Sequence, residues 1–217
     1  MEGPKLRQIK TICVFCGSKV GKGFGYLETA VDLGKKFGEK GITLVYGGGS
    51  SGLMGCVSQA ALKEKARVIG VIPVPLVDIA GKTRGHEVQT LSIHERITCM
   101  LYGSDAFIAL PGGFGTLEEI FNITSWAQLD LHTKPIGLLN INNFFDGLIT
   151  FLDYAVEQGF ISPFSRRILI SAPTIDELLD KLHSYIPIQD PAGVKIDWSQ
   201  GRGIKRNRSP VNVNLTL

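Results

Sequence analysis

Three times in this chain a short apolar run breaks into glycines and then into a helical pattern. Residues 11–15 (TICVF) lead into Cys16-Gly17-Ser18, residues 42–45 (ITLV) into YGGGSSGLMG at 46–55, and residues 106–110 (AFIAL) into PGGFGTLEE at 111–119. A continuous apolar run of four or five residues, bounded by turn residues, reads as a strand buried on both faces. Further apolar runs at 67–72, 136–139 and 167–170 alternate with helical patterns at 26–40, 52–65, 94–102, 116–129, 144–158 and 175–185. That alternation predicts an α/β fold, a doubly wound parallel sheet with helices on both faces. In such a sheet the three glycine loops are expected to meet along the carboxyl edge of the strands. Residues 74–89 fit neither period and are expected to form an irregular loop over that edge. Gly41 and Gly159 read as C-terminal caps, and Thr174 with Glu177 as the capping box of the last helix.

At 217 residues, 44% of them hydrophobic, the chain suits one well-buried domain and is short for two. Apolar periodicity stops after Pro187, so residues 1–187 are expected to form the domain and 188–217 a polar basic tail. That tail carries five basic and two acidic side chains, which accounts for the whole net charge of +3. The rest is neutral, and no nucleic-acid partner is expected. No apolar run is long enough to span a bilayer and the first residues lack a signal-peptide core, so no membrane is expected and the location is read as cytoplasmic, the nucleus included. Cys13 and Cys16 form a CxxC that begins inside the first apolar run, whereas a redox CxxC opens a helix. Cys56, Cys99 and the four histidines are scattered, so no metal site is expected.

The glycine loops carry the chemistry. Glycines let backbone N–H groups approach an anion closely, and a helix N-terminus adds a favourable dipole. Gly17, Ser18, Gly48, Gly49, Gly112, Gly113 and Gly115 are therefore candidate phosphate contacts. Glu118 and Glu119 would stand beside that phosphate, where carboxylates are awkward unless a reaction needs them. Thr116 and Glu119 also spell a capping box, and for Thr116 by itself the capping role is the better reading. Glu118 suits a substrate contact and a solvated first-turn acid equally. No Walker loop occurs, and GFGTLE lacks the third glycine of a dinucleotide fingerprint. Three such loops in one α/β pattern nevertheless point to a small nucleotide-like ligand.

The segments CVFCGS (13–18), YGGGSSGLMG (46–55) and PGGFGTLEE (111–119) together resemble the Lonely Guy family of cytokinin riboside 5′-monophosphate phosphoribohydrolases, its plant members above all. The similarity continues through SWAQLDLHTKPIGLLN (125–140) and EQGFISP (157–163), and covers roughly residues 9–187. It implies a Rossmann-like fold, a homodimer, no cofactor, and hydrolysis of a nucleotide's N-glycosidic bond to free base and ribose 5-phosphate. Older members carried the label lysine decarboxylase. Such chemistry usually needs a Schiff-base lysine, and none lies in the three loops. Carried over residue by residue, the catalytic arginine is Arg96 and the catalytic glutamate Glu119. The phosphate loop is Gly113, Phe114, Gly115, Thr116, Leu117, Glu118 and Glu119. Three positions depart from the family: Ile97 replaces a lysine, Ser125 a threonine and Asp78 a glutamate.

Breaking a ribosyl C–N bond develops oxocarbenium character, which a carboxylate can stabilise, attack or meet with an activated water. An arginine can hold a phosphate bidentately. Read without the resemblance, Arg96 suits an exposed helical arginine paired with Glu95 or Asp105; the resemblance makes it catalytic. Met100 and Trp126 fit core packing at least as well as a base pocket. Ile97 keeps open a second reading, a non-catalytic nucleotide carrier on the same fold. If position 97 faces substrate, Ile97→Lys is expected to lower KM.

Overall fold

A computed structural model of the chain describes residues 7–187 and Trp198; the expected boundary at 187 and the rest of the tail lie outside the described residues. Seven parallel strands form one sheet: β1 (Thr11–Phe15), β2 (Thr43–Tyr46), β3 (Val68–Pro73), β4 (His86–Thr90), β5 (Ala106–Ala109), β6 (Ile136–Leu139) and β7 (Leu169–Ala172). Their order is β4-β3-β2-β1-β5-β6-β7. The chain winds outward from β1 to β4, then returns to pair β5 beside β1. That reversal opens a crevice between the ends of β1 and β5, where two of the glycine loops begin.

The helices are α1 (Phe24–Lys40), α2 (Gly52–Lys63), α3 (Val77–Ala80), α4 (Ile93–Tyr102), α5 (Phe114–Gln128), α6 (Asp146–Glu157), α7 (Pro163–Arg166) and α8 (Ile175–His183). Alternate residues of a strand face opposite sides of a sheet. Ile12 and Val14 of β1 accordingly join Leu33, Phe37, Leu53, Val57 and Leu178 in one core, beneath α1, α2 and α8. Cys13 and Phe15 join Ile97, Met100, Ile120, Ile123 and Leu152 in the other, beneath α4, α5 and α6. Phe15 stacks on Phe107 across the β1–β5 pair, with centroids 5.9 Å apart. Gly34 lets α1 and α2 close together, since a Cβ there would stand 2.5 Å from the carbonyl oxygen of Val57.

Residues 74–89 are not the irregular loop the sequence suggests. They hold a 3₁₀ turn (Val74–Leu76), α3 and most of β4. β4 is an edge strand with one buried residue in five, so its sequence, HEVQT, has no apolar run to betray it. α7 was likewise too short to show a helical period. Gly41 takes the left-handed C-cap conformation, and Thr174 accepts the amide of Glu177, as the sequence implies.

Candidate active site

The loops after β1, β2 and β5 interlock. Gly17 N–H donates to the Pro111 carbonyl at 3.0 Å, and the Gly17 carbonyl accepts Leu53 N–H at 3.0 Å. Between them opens a cleft of about 380 Å³, lined by Cys16, Gly17, Ser18, Gly47 and Gly49 from the first two loops. The third contributes Gly113, Phe114, Gly115, Thr116, Glu118 and Glu119. Arg96 enters from α4, and Met54, Ile72, Leu76, Ala80 and Ile93 make the apolar wall.

α5 begins two residues earlier than its apolar period implies. Gly113 is the N-cap, and the first internal bond runs from Leu117 N–H to the Gly113 carbonyl. The amides of Phe114, Gly115 and Thr116 have no backbone acceptor among the described residues. They form a donor set at the positive end of a helix, suited to an anion. The capping box over Thr116 and Glu119 is thereby corrected. Thr116 is the third helical residue, buried in the cleft lining, and Glu119 lies a turn further on, facing inward.

Glu119 meets Arg96. The Arg96 Nη1 donates to Glu119 Oε1, and the Arg96 Nε donates to the Val71 carbonyl at 2.9 Å. The two side chains are 12% and 9% exposed. The expected partners of Arg96 are engaged elsewhere. Glu95 accepts the Leu91 amide, while Ser92, the N-cap of α4, accepts the Glu95 amide. Asp105 accepts the amides of Lys10 and Thr11, each at 2.9 Å. Burial pushes the Glu119 carboxyl above its ordinary range; Arg96 opposes that rise and Glu118 adds to it. Burial also pushes the Cys16 and Cys13 thiols well up, so neither supplies a thiolate.

Gly47 escaped the sequence reading, which singled out Gly48 and Gly49. A Cβ at Gly47 would stand 2.5 Å from Arg96 Nη2 and 3.0 Å from Met54 Sδ. A Cβ there would push the guanidinium from its place beside Glu119. Gly47→Ala is expected to displace Arg96, lower kcat at least tenfold and lower the melting temperature as the buried pair is disturbed; steady-state kinetics and a thermal melt check it.

Other candidates sit elsewhere. Ile97 is 2% exposed and packs in the second core, so a lysine there would have to lead its ammonium out through packed side chains. Position 97 does not face substrate, so Ile97→Lys is not expected to lower KM. Ile97→Ala is instead expected to cost about 2–4 kcal/mol of stability and leave KM unchanged, read by denaturant unfolding and kinetics. Met100 is fully buried and Trp126 packs against the same core, so both serve packing. Asp78 is exposed on α3, outside the lining. Ser125 Oγ donates to the Asn122 carbonyl on the exposed side of α5, and Leu117 also stands off the cleft. Gly48 supplies the turn with φ of 79° rather than a wall, and Gly112 lines a neighbouring hollow. Glu118 borders the cleft and hydrogen-bonds the Asn122 amide.

The matching family model is described as "Possible lysine decarboxylase" and spans residues 54–182. The chain belongs to that family. It is 51% identical over 196 residues to a "Probable cytokinin riboside 5'-monophosphate phosphoribohydrolase" of Oryza sativa subsp. japonica, covering 89% of this chain and 93% of that protein. It is 47% identical over 203 residues to a cytokinin riboside 5'-monophosphate phosphoribohydrolase of Arabidopsis thaliana, covering 93% and 94%. Among solved structures, TM1055 superposes with a TM-score of 0.62 at 22% identity, over 81% of this chain and 99% of that one. The Moco carrier protein from Chlamydomonas reinhardtii gives 0.57 at 23%, over 81% and 100%. These two likenesses establish the Rossmann-like fold. The family's descriptive name does not fit the site. Lysine decarboxylation calls for a lysine to hold pyridoxal phosphate. Among the described residues no lysine lines the cleft, and Lys134 is spent donating to the Leu101 carbonyl.

Proposed function

We propose that this protein hydrolyses the N-glycosidic bond of cytokinin riboside 5′-monophosphates, releasing the free base and ribose 5-phosphate. One observation carries the reading: a buried Arg96–Glu119 pair lies beneath the unsatisfied N-terminus of α5. Five residues of helix separate Phe114 from Glu119, roughly 7 Å along the axis. A 5′-phosphate seated on the α5 amides thus leaves the anomeric carbon within reach of the Glu119 carboxylate. The ribosyl C–N bond breaks with its electron pair going to the base, water adds its hydroxyl to the anomeric carbon, and the water's remaining proton passes to the base nitrogen. Glu119 faces the oxocarbenium charge that develops between these events. The sequence reading gave Arg96 a bidentate grip on phosphate. Its bonds to Val71 and Glu119 instead favour a role beside the carboxylate, holding it ionised and oriented. The phosphate then rests on backbone amides. The relatives named for this reaction, at about half identity over most of the chain, support the substrate class.

The departure at Ile97 lies in the core, so it no longer favours a carrier over an enzyme. A homodimer belongs to the reading, supported by Phe114, 94% exposed at the mouth of the cleft, and by exposed Phe121 on the same helix. No helix among the described residues is long and apolar enough to cross a membrane. A cytoplasmic or nuclear location goes with four free thiols and a phosphorylated substrate.

Chromatographic detection of free base from isopentenyladenosine 5′-monophosphate tests the reaction. The monophosphate is expected to be turned over at least tenfold more efficiently than the unphosphorylated riboside, because remote binding energy at the phosphate positions the reacting bond. Equal kcat/KM on the two would overturn the assignment of the α5 amides.

A further inference from the structure

Residues 74–85 border the cleft as a strap that buries one side chain, Thr83, at its far end and is otherwise held by hydrogen bonds. Neither the 3₁₀ turn nor α3 buries a side chain, and Val74, Leu76 and Ile79 are exposed. Yet Leu76 and Ala80 form part of the apolar wall. Two clasps fix the strap. The Ala80 carbonyl accepts both the amide and the hydroxyl of Ser50, at 3.0 and 3.2 Å. The Tyr46 hydroxyl accepts Arg84 N–H at 2.9 Å and donates to the Arg84 carbonyl at 3.2 Å. Gly81 and Gly85, with φ of 75° and 83°, bend the chain on either side of this second clasp. Tyr46 is fully buried at the end of β2 and does not line the cleft. Its ring belongs to the core, so its hydroxyl is the part that addresses the strap.

We propose that Tyr46 is a positioning residue that sets the size of the base substituent the cleft accepts, by clasping the strap that carries Leu76 and Ala80. The stretch from Val74 to Lys82, which carries Leu76 and Ala80, buries no side chain and so sits where its hydrogen bonds put it. Loosening the clasp therefore moves the wall without disturbing the β2–α2 loop or the Arg96–Glu119 pair. This inference rests on the proposed substrate class, which puts the apolar N6 substituent of the base against the wall of Met54, Ile72, Leu76, Ala80 and Ile93.

The test compares isopentenyl- and benzyl-substituted adenosine 5′-monophosphates on wild type, Tyr46→Phe and Ser50→Ala. Tyr46→Phe keeps the ring in the core and is expected to keep the melting transition. It is expected to raise KM for the isopentenyl substrate and to shift the kcat/KM ratio about two- to tenfold toward the benzyl substrate, part of what the two lost hydrogen bonds are worth. Ser50→Ala, which retains its backbone bond, is expected to shift the ratio less and in the same direction. The kcat values should stay near wild type, a split that general destabilisation would not produce. Calorimetric binding of the same two monophosphates reads the ratio independently of turnover. A wild type that binds both and hydrolyses neither removes the hydrolase reading and leaves the strap to be judged on the binding ratio. A ratio unmoved in Tyr46→Phe, or equal losses on both substrates, overturns the role of Tyr46. A wild type that binds neither overturns both.

Discussion

Glu119→Gln is expected to lower kcat by roughly a hundredfold or more, the usual cost of losing a positioned acid–base or electrostatic group. The substitution preserves the shape of the side chain, and its amide oxygen still accepts the Arg96 guanidinium. What disappears is the negative charge facing the anomeric carbon. The KM should change little, because on the proposed reading the phosphate rests on the α5 amides and the base on the apolar wall. Stability is the informative control. A capping glutamate would yield a melting-temperature loss with turnover retained, whereas Glu119 here caps nothing. It lies inside the cleft with its carboxylate on Arg96. The pH profile sharpens the case. Burial raises the Glu119 carboxyl, and the reactive form is the carboxylate, so activity is lost as pH falls through that raised value. The acid limb of kcat/KM is expected above pH 4.5, the ordinary glutamate value. A limb below it, or wild-type kcat in Glu119→Gln, would remove the residue from the chemistry.

Periodicity made most of the fold legible, because a doubly wound sheet buries its central strands on both faces. β5 and β6, and β1 after its first residue, are buried and free of polar side chains, and they stand out in the sequence. β4 does not, since an edge strand needs apolar residues on one side at most. The glycine loops were readable as a cluster because successive βα turns must share one edge. Which loop residues face the ligand was not readable. Thr116 and Glu119 match a capping box letter for letter, and only the true start of α5 at Phe114 separates cap from site. Arg96 looks like an exposed helical arginine because its partners are distant in the chain. The Val71 carbonyl lies on β3, Glu119 on α5, and the space beside the guanidinium belongs to Gly47. Position 97 misled for the complementary reason. One residue along a helix turns the side chain by about 100°, enough to move it from the cleft into the core.

Arg96→Ala is expected to be as damaging as Glu119→Gln, by a different route. Removing the arginine strands a buried carboxylate without its cation, at a cost of about 3–5 kcal/mol if the group stays ionised. The cheaper response is to take up a proton. Arg96 opposes the upward push of burial on Glu119, so its loss drives the carboxyl higher still. At neutral pH the variant then holds a protonated acid where the reaction needs a carboxylate, and kcat falls. Raising the pH ionises the acid again, so residual activity should climb on the alkaline side, where wild type is already level. Arg96→Lys separates charge from shape. A lysine restores a cation but not the fork that donates to the Val71 carbonyl and to Glu119 at once. Its acid limb should lie between those of wild type and Arg96→Ala, with kcat below wild type even where Glu119 is fully ionised. The measurement is kcat/KM against pH for the three proteins on one monophosphate. If Arg96 instead held the phosphate, Arg96→Ala would raise KM and leave the acid limb where wild type has it.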